Sequence, residues 1–323
     1  LITHAWTGML RVAAMARIAG CGCIHASPRG AISAKTWLVD VIDLIRAGKR
    51  VVAMVAPSVE GQFGPDITMA SWRTALKKIG FADMIEVALG GDMTAAAEAE
   101  EWAEAYKEGK KMTTSCCPAF VNMIRQHFPT LQDNMSTTVS PMCAVSRMVK
   151  AEDPDAVTVF IGPCIAKKSE ALDLSIEGNA DYALTLSEAR AMMRAKGVEL
   201  EPEENSLQDG SVFGKRFGNG GGVTAAVLQC LKESGEDAQV NVMKCNGAAE
   251  CKKALLLLRA GKLPADFIEG MACVGGCVGG PSKYKSEQEA KKARDQLIGQ
   301  ADQREVHENL NRYPMDKFSM HRH

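Results

Sequence analysis

Three cysteine-bearing segments carry the residues in this chain best suited to chemistry. They are Thr114-Ser115-Cys116-Cys117-Pro118, then Gly162-Pro163-Cys164-Ile165-Ala166-Lys167-Lys168-Ser169-Glu170, then the run 269–281 with Cys273 and Cys277. Adjacent cysteines cannot bridge each other without strain. At a helix start their thiols ionise more readily, which suits metal ligation or proton exchange. In the second segment a cysteine just past a buried strand could ligate a cluster, and the lysine three residues on could sit beside an anionic ligand. Taken alone, that lysine pair reads equally as surface charge. The third segment wraps its two cysteines in five glycines. Glycine permits close backbone approach and positive φ, as a backbone folded round an inorganic cluster requires. One cysteine from the first segment, one from the second and two from the third make the four thiolates of a 4Fe–4S cluster.

The elements that must position these residues read as α/β. Strands are expected at 50–55, 84–88, 112–114, 156–161, 182–184, 240–243 and 267–269. Helices are expected at 67–79, 92–106 with Asp92 as N-cap, from Pro118 with Val121, Ile124 and Phe128 on one face, 141–150, 187–195 capped by Ser187, 223–232 and 248–260. The first half of 283–323 reads as helical. Such alternation implies parallel sheets flanked by helices. Two sets of elements suggest two lobes, at 35–153 and 154–282, divided near Glu152–Asp155 and followed by a C-terminal segment 283–323. Ligands in such folds bind beyond the carboxyl ends of strands, and each cysteine segment follows a strand.

Composition narrows the class. The chain has 323 residues, 46% hydrophobic and 24% charged, enough for one large two-lobed domain. Net charge is 38 − 39 = −1, which offers no electrostatic case for binding nucleic acid or an anionic membrane. The apolar run 254–258, like every other in the chain, is too short to span a bilayer. The first twenty residues lack the order of a secretory signal. Eleven cysteines in a chain that needs no disulfides point to a reducing, cytoplasmic compartment. Cys230, Cys245 and Cys251 read as small buried apolar residues, as does Cys143.

In this order TSCCP, PCxAKKxE and MACxGGCxGG resemble the three signature segments of FeFe (iron-only) hydrogenases. VAPSVEGQFG at 55–64, GFADMIEVALGGD at 80–92, FGNGGGV at 217–223 and VHEN at 306–309 agree with that likeness. The resemblance implies two α/β lobes with the cluster in the cleft between them. It implies a 4Fe–4S cube on Cys117, Cys164, Cys273 and Cys277, with Cys277 bridging to a diiron subsite that carries CO, cyanide and an azadithiolate. It further implies that Cys116 passes protons to the bridge amine. Lys167 would bond one cyanide, a charge-assisted contact. Pro57 and Ser58 would meet the other, and Phe217 and Met271 would pack round the subsite. The implied activity is reversible reduction of protons to dihydrogen, with ferredoxin or a similar carrier as electron partner and maturation proteins to install the subsite.

Glu98 and Glu101 lie three apart on one helix face, which by itself reads as a solvated face. The resemblance makes Glu98, Ser136 and Glu101 a proton relay with Cys116 at its inner end. The chain also departs from the family's usual pattern. Gly162 stands where Met is usual and Met142 where Gln is usual, and the glycine run after Cys277 is one shorter. These departures bear on rate and catalytic bias more than on cluster binding. Segment 1–34 resembles a ferredoxin-like module without its ligands, with Ser27, Arg17 and Gly20 at three cysteine positions, so no accessory cluster is expected. Two other readings share the three segments: a slow redox- or hydrogen-sensing relative, and a non-enzymatic relative of eukaryotic iron-sulfur assembly proteins. Intact Cys116 and Glu98 favour catalysis over the first, and the complete Cys/Lys/Glu set over the second.

Overall fold

Strand β1 (Val51–Val55) is apolar throughout and wholly buried, as a parallel strand covered on both faces must be. It pairs in parallel with β2 (Asp83–Glu86) on one side and β4 (Val157–Gly162) on the other, and β4 pairs with β5 (Tyr182–Thr185). The order is β2-β1-β4-β5. A second parallel sheet has the order β3-β7-β6, from Met112–Thr113, Phe267–Met271 and Val242–Asn246. This computed structural model describes residues 35–206, 208–236 and 239–322. The expectation for segment 1–34 lies outside them.

The expected division near Glu152–Asp155 does not hold for the sheets. Strands β4 and β5 complete the sheet begun by β1 and β2, whereas β3 joins β6 and β7. Periodicity identifies a strand but not its neighbour, and a parallel partner can be reached across any crossover long enough to return the chain. The two sheets are therefore each built from both halves of the sequence.

The helices of the first half are α1 (Leu38–Arg46), α2 (Met69–Lys78), α3 (Val87–Lys107), α4 (Pro118–His127) and α5 (Pro141–Glu152). Next come α6 (Ala166–Ala171), α7 (Leu186–Ala195), α8 (Val212–Arg216) and α9 (Gly222–Glu233). The last are α10 (Ala248–Arg259), α11 (Glu287–Gly299) and α12 (Val306–Leu310). Helix α3 begins five residues before the expected N-cap. Asp92 lies inside it, fully buried, accepting hydrogen bonds from Ser211 N and Oγ at 2.6 Å each and from Asn309 Nδ2 at 2.8 Å. Its carboxylate anchors later segments instead of capping its own helix, and burial pushes its pKa up to about 7. Helix α7 is capped by Thr185, not Ser187: Thr185 Oγ1 accepts from Glu188 N and Glu188 Oε2 accepts from Thr185 N.

Two buried interactions join the halves. Trp102 of α3 stacks on Phe267 of β7 with ring centroids 4.1 Å apart, a contact whose loss to alanine at Trp102 would cost about 3–5 kcal/mol. Lys215 of α8 bonds Glu60 Oε1 at 3.0 Å and Glu86 Oε1 at 2.9 Å, all three side chains being at most 1% exposed. Burial pushes Glu86 up to about 7 despite Lys215. Burial opposes the charge on Lys215, yet the two carboxylates hold its pKa above the usual lysine value. Phe217 follows α8 directly, so this triad fixes one wall of the site. Among the described residues no helix is long and apolar enough to cross a membrane.

Candidate functional site

The carboxyl ends of both sheets open on one cavity of about 880 Å³, part of it open to solvent, with an almost wholly apolar lining. The turn after β1 contributes Pro57 and Ser58. The end of β4 contributes Cys164 and Lys167, the segment after β3 Cys116 and Cys117, and β7 and its loop Met271, Cys273 and Cys277. Phe217 and Gly218 close the side. Parallel strands send all their carboxyl ends one way, so segments far apart in sequence converge here. Every residue expected from the sequence to hold or surround the cofactor lines this cavity.

Local geometry explains the delivery of the thiols. Pro118 occupies the first turn of α4, and Cys117 is the N-cap but makes no side-chain cap hydrogen bond. Its sulfur is thus left for another partner. Gly276 has φ +72°, and a Cβ there would lie 2.5 Å from the Gly218 carbonyl oxygen. Only glycine allows the loop this close, and Cys277 N then donates to Gly218 O at 2.7 Å. Arg294 of α11, fully buried, donates Nε to Pro57 O at 3.1 Å and also reaches Asn219 and the Lys215 carbonyl. It ties together three segments around the cavity.

The electrostatics favour metal over free thiolate. Burial, then the neighbouring sulfurs of Cys277 and Cys117, pushes Cys164 up to about 12. Burial and Cys117 push Cys277 up to about 11. Cys116 is raised well above the usual thiol value by burial and then by Glu98. These sulfurs crowd one volume and resist ionisation until a cation arrives to compensate. None of the described cysteines is in a disulfide. Among the described residues no three His, Cys, Asp or Glu converge as ligands of a single metal ion. A four-iron cube binds one thiolate per iron, and so takes its sulfurs from farther apart. The buried Ser58 hydroxyl has no hydrogen-bond partner, a vacant donor on the cavity wall. The thiol set, the apolar lining and this hydroxyl fit an iron–sulfur group with polar ligands.

Lys167 Nζ donates to Glu170 Oε2 at 2.6 Å, Ser140 Oγ at 2.8 Å and Cys116 O at 3.5 Å. Burial works against its charge, but Glu170 holds its pKa above the usual lysine value. The long bond to Cys116 O is the one a ligand in the cavity could most easily take over. At Gly162 a Cβ would meet the Phe160 ring at 2.8 Å and Ala56 Cβ at 2.9 Å. Phe160, itself a cavity residue, occupies the space a side chain at 162 would use. Met142 also lines the cavity.

The expected relay runs outward from Cys116. Glu98 is fully buried, and its Oε1 accepts from Ser115 N at 3.2 Å. The nearby Ser136 hydroxyl favours the ionised form of this carboxyl, while Oε2 is buried without a hydrogen-bond partner. Burial, reinforced by Glu101, pushes Glu98 up to about 8. Glu101 accepts from Thr137 N at 3.1 Å and from the Thr137 hydroxyl. Arg322 Nη2 donates to Ser115 O at 2.9 Å. Sequence reasoning missed Ser140, Thr137, Arg294, His321 and Arg322. No spacing rule links them to the cysteines, because each arrives by tertiary packing.

Comparison with known proteins follows the same lines. The family described as "Iron only hydrogenase large subunit, C-terminal domain" matches residues 49–281. The chain is 31% identical over 304 residues to the periplasmic [Fe] hydrogenase large subunit of Nitratidesulfovibrio vulgaris, covering 76% of this chain and 72% of that protein. It is 28% identical over 346 residues to iron hydrogenase 1 of Clostridium pasteurianum, covering 87% of this chain but only 60% of that longer protein. A fainter likeness, 22% identity over 282 residues (72% of this chain, 63% of that protein), links it to a probable cytosolic Fe-S cluster assembly factor of Brugia malayi. Among solved structures, a variant of [FeFe]-hydrogenase HydA1 from Chlamydomonas reinhardtii superposes with a TM-score of 0.70 at 23% identity. That superposition covers 84% of this chain and 92% of the other, and it speaks to the fold.

Proposed function

The chain belongs to the iron-only hydrogenase large-subunit family, and from that premise we propose that it catalyses the reversible reduction of protons to dihydrogen. The observation that carries this reading is the convergence of Cys116, Cys117, Cys164, Cys273, Cys277 and Lys167 on one apolar cavity from which the buried Glu98 leads outward. In this reading Cys117, Cys164, Cys273 and Cys277 hold a 4Fe–4S cube, with Cys277 shared with a diiron subsite bearing CO, cyanide and an azadithiolate. When bound, that group supplies the redox chemistry of hydrogen.

The residues of the chain do the rest. Lys167 and Ser58 offer donors to anionic ligands in the cavity, and Pro57, Phe217 and Met271 exclude water around them. Burial keeps the Cys116 sulfur protonated, so it can give up a proton rather than serve as a fifth thiolate. Glu98, raised to about 8, is mostly neutral at neutral pH. Its Oε1 is engaged by Ser115 N, which leaves the proton on Oε2, the oxygen with no partner. Glu98, Ser136 and Glu101 then form the route to the surface. Ferredoxin or a similar carrier is the proposed electron partner, maturation proteins the proposed source of the subsite, and the cytoplasm the proposed compartment.

The deciding experiment is an infrared spectrum of anaerobic protein loaded by maturation proteins or a synthetic diiron precursor. Bands of metal-bound CO and cyanide are expected, with turnover lost in Cys116→Ala while the bands persist. A protein that holds the cube but shows no such bands is not a hydrogenase, and the assembly-factor likeness would then be the better guide.

A further inference from the structure

The outer end of the relay has a feature that none of the sequence motifs contains. His321 Nδ1 lies 3.3 Å from Glu101 Oε1 and 2.8 Å from Thr137 Oγ1. The Glu101 side chain is only 14% exposed, against 48% for His321. Glu101 has both oxygens engaged by Thr137, so bulk water reaches it poorly. We propose that His321 is the residue that exchanges protons between solvent and Glu101, a reading that rests on the hydrogenase function proposed above.

The surrounding structure holds His321 in place for this. Residues 320–322 lie antiparallel to 137–139, with Val139 N donating to Met320 O at 2.8 Å and Arg322 N donating to Thr137 O at 2.9 Å. Arg147 of α5 donates Nη1 to the carbonyls of Ser319 and His321 at 2.5 and 2.7 Å. Among the described residues the charged group in contact with the imidazole is Glu101 from α3, while Arg147 from α5 holds the His321 carbonyl and Arg322 turns inward to Ser115 O. Imidazole is the side chain whose ordinary titration spans neutral pH, and its two nitrogens can take a proton on one side and release it on the other. A proton enters at Nε2 from water and leaves from Nδ1, either directly to Glu101 Oε1 or through the Thr137 hydroxyl. The ring returns neutral and no other reactant is consumed.

Two measurements test this. In loaded enzyme with its CO and cyanide bands intact, His321→Ala is expected to slow turnover about ten- to hundredfold and to steepen its fall with rising pH. Added imidazole should restore the rate. His321→Gln, which can still bond Thr137 but cannot titrate, should be as slow as His321→Ala. Wild-type rates in His321→Ala, failure of imidazole to rescue, or full recovery with Gln would each overturn the proposal, the last by showing a purely structural cap. The second measurement needs no diiron subsite. A triggered pH jump is followed at the infrared carboxyl band that Glu98→Gln removes. Protonation of Glu98 should slow at least tenfold in His321→Ala, and an unchanged rate overturns the proposal. A wild type lacking CO and cyanide bands defeats the hydrogenase reading instead, and the pH jump then decides the role of His321 alone.

Discussion

Replacing Glu98 by Gln tests the electrostatics of the relay without any cofactor. Glu98 is fully buried, and its pKa rises from 4.5 to about 8 in the folded chain. Unfolding restores the ordinary value, so between these limits the unfolded state binds fewer protons than the folded one. Stability from this group is therefore complete below pH 4.5, falls as pH rises, and levels off above pH 8. The slope is about 1.4 kcal/mol per pH unit. From pH 5 to pH 8 this sets a ceiling of about 4 kcal/mol, and relaxation around a buried charge brings the expected loss to about 2–4 kcal/mol. Glutamine keeps an oxygen to accept from Ser115 N and sets a neutral amide where the neutral carboxyl stood. The variant should match the wild type within about 1 kcal/mol at pH 5 and exceed it at pH 8. Asp92 and Glu86 titrate in the same range, but they are common to both proteins and cancel in the difference. Urea unfolding followed by circular dichroism at pH 5, 6.5 and 8 reads that difference directly. Parallel stability curves for the two proteins would refute the reasoning.

Other perturbations separate ligands from neighbours and packing from charge. Serine at Cys117, Cys164, Cys273 or Cys277 should each lower bound iron after anaerobic reconstitution, while Cys116→Ala should leave it near the wild-type level; iron analysis with electron paramagnetic resonance checks this. Gly162→Ala should destabilise by about 1–3 kcal/mol, because its Cβ meets Phe160 and Ala56. In Phe160→Ala that cost should shrink by more than half, as a double-mutant cycle in urea would reveal. Lys215→Met should cost about 3–5 kcal/mol at pH 8, since it leaves Glu60 and Glu86 buried without their cation. Thermal unfolding should show that loss easing as pH falls toward 5 and Glu86, with its pKa near 7, takes up a proton.

The cysteine segments were legible because cluster chemistry demands particular residues beside particular backbone turns. Each of Cys116, Cys117, Cys164, Cys273 and Cys277 follows a strand expected from the sequence. The α/β class was legible for the same reason, since burial on both faces leaves an uninterrupted apolar stretch such as Val51–Val55. Helix starts were less so. Asp92 looked like a cap because aspartate favours that position, yet the helix runs on before it through Gly90 and Gly91, where a side chain would meet Pro141 and Phe217.

What the sequence determined by itself was therefore local: which segments are strands, where the thiols sit, and which family the three segments resemble. Which strand lies beside which was decided only by the tertiary structure. β4 beside β1, and β3 beside β7, depend on long crossovers that carry no mark in either strand. The same holds for Arg294 on the Pro57 carbonyl and His321 on Glu101, which lie 237 and 220 residues from their partners in sequence. A side chain's chemistry is written in its own position, but its burial and its partner arise only when distant segments pack together.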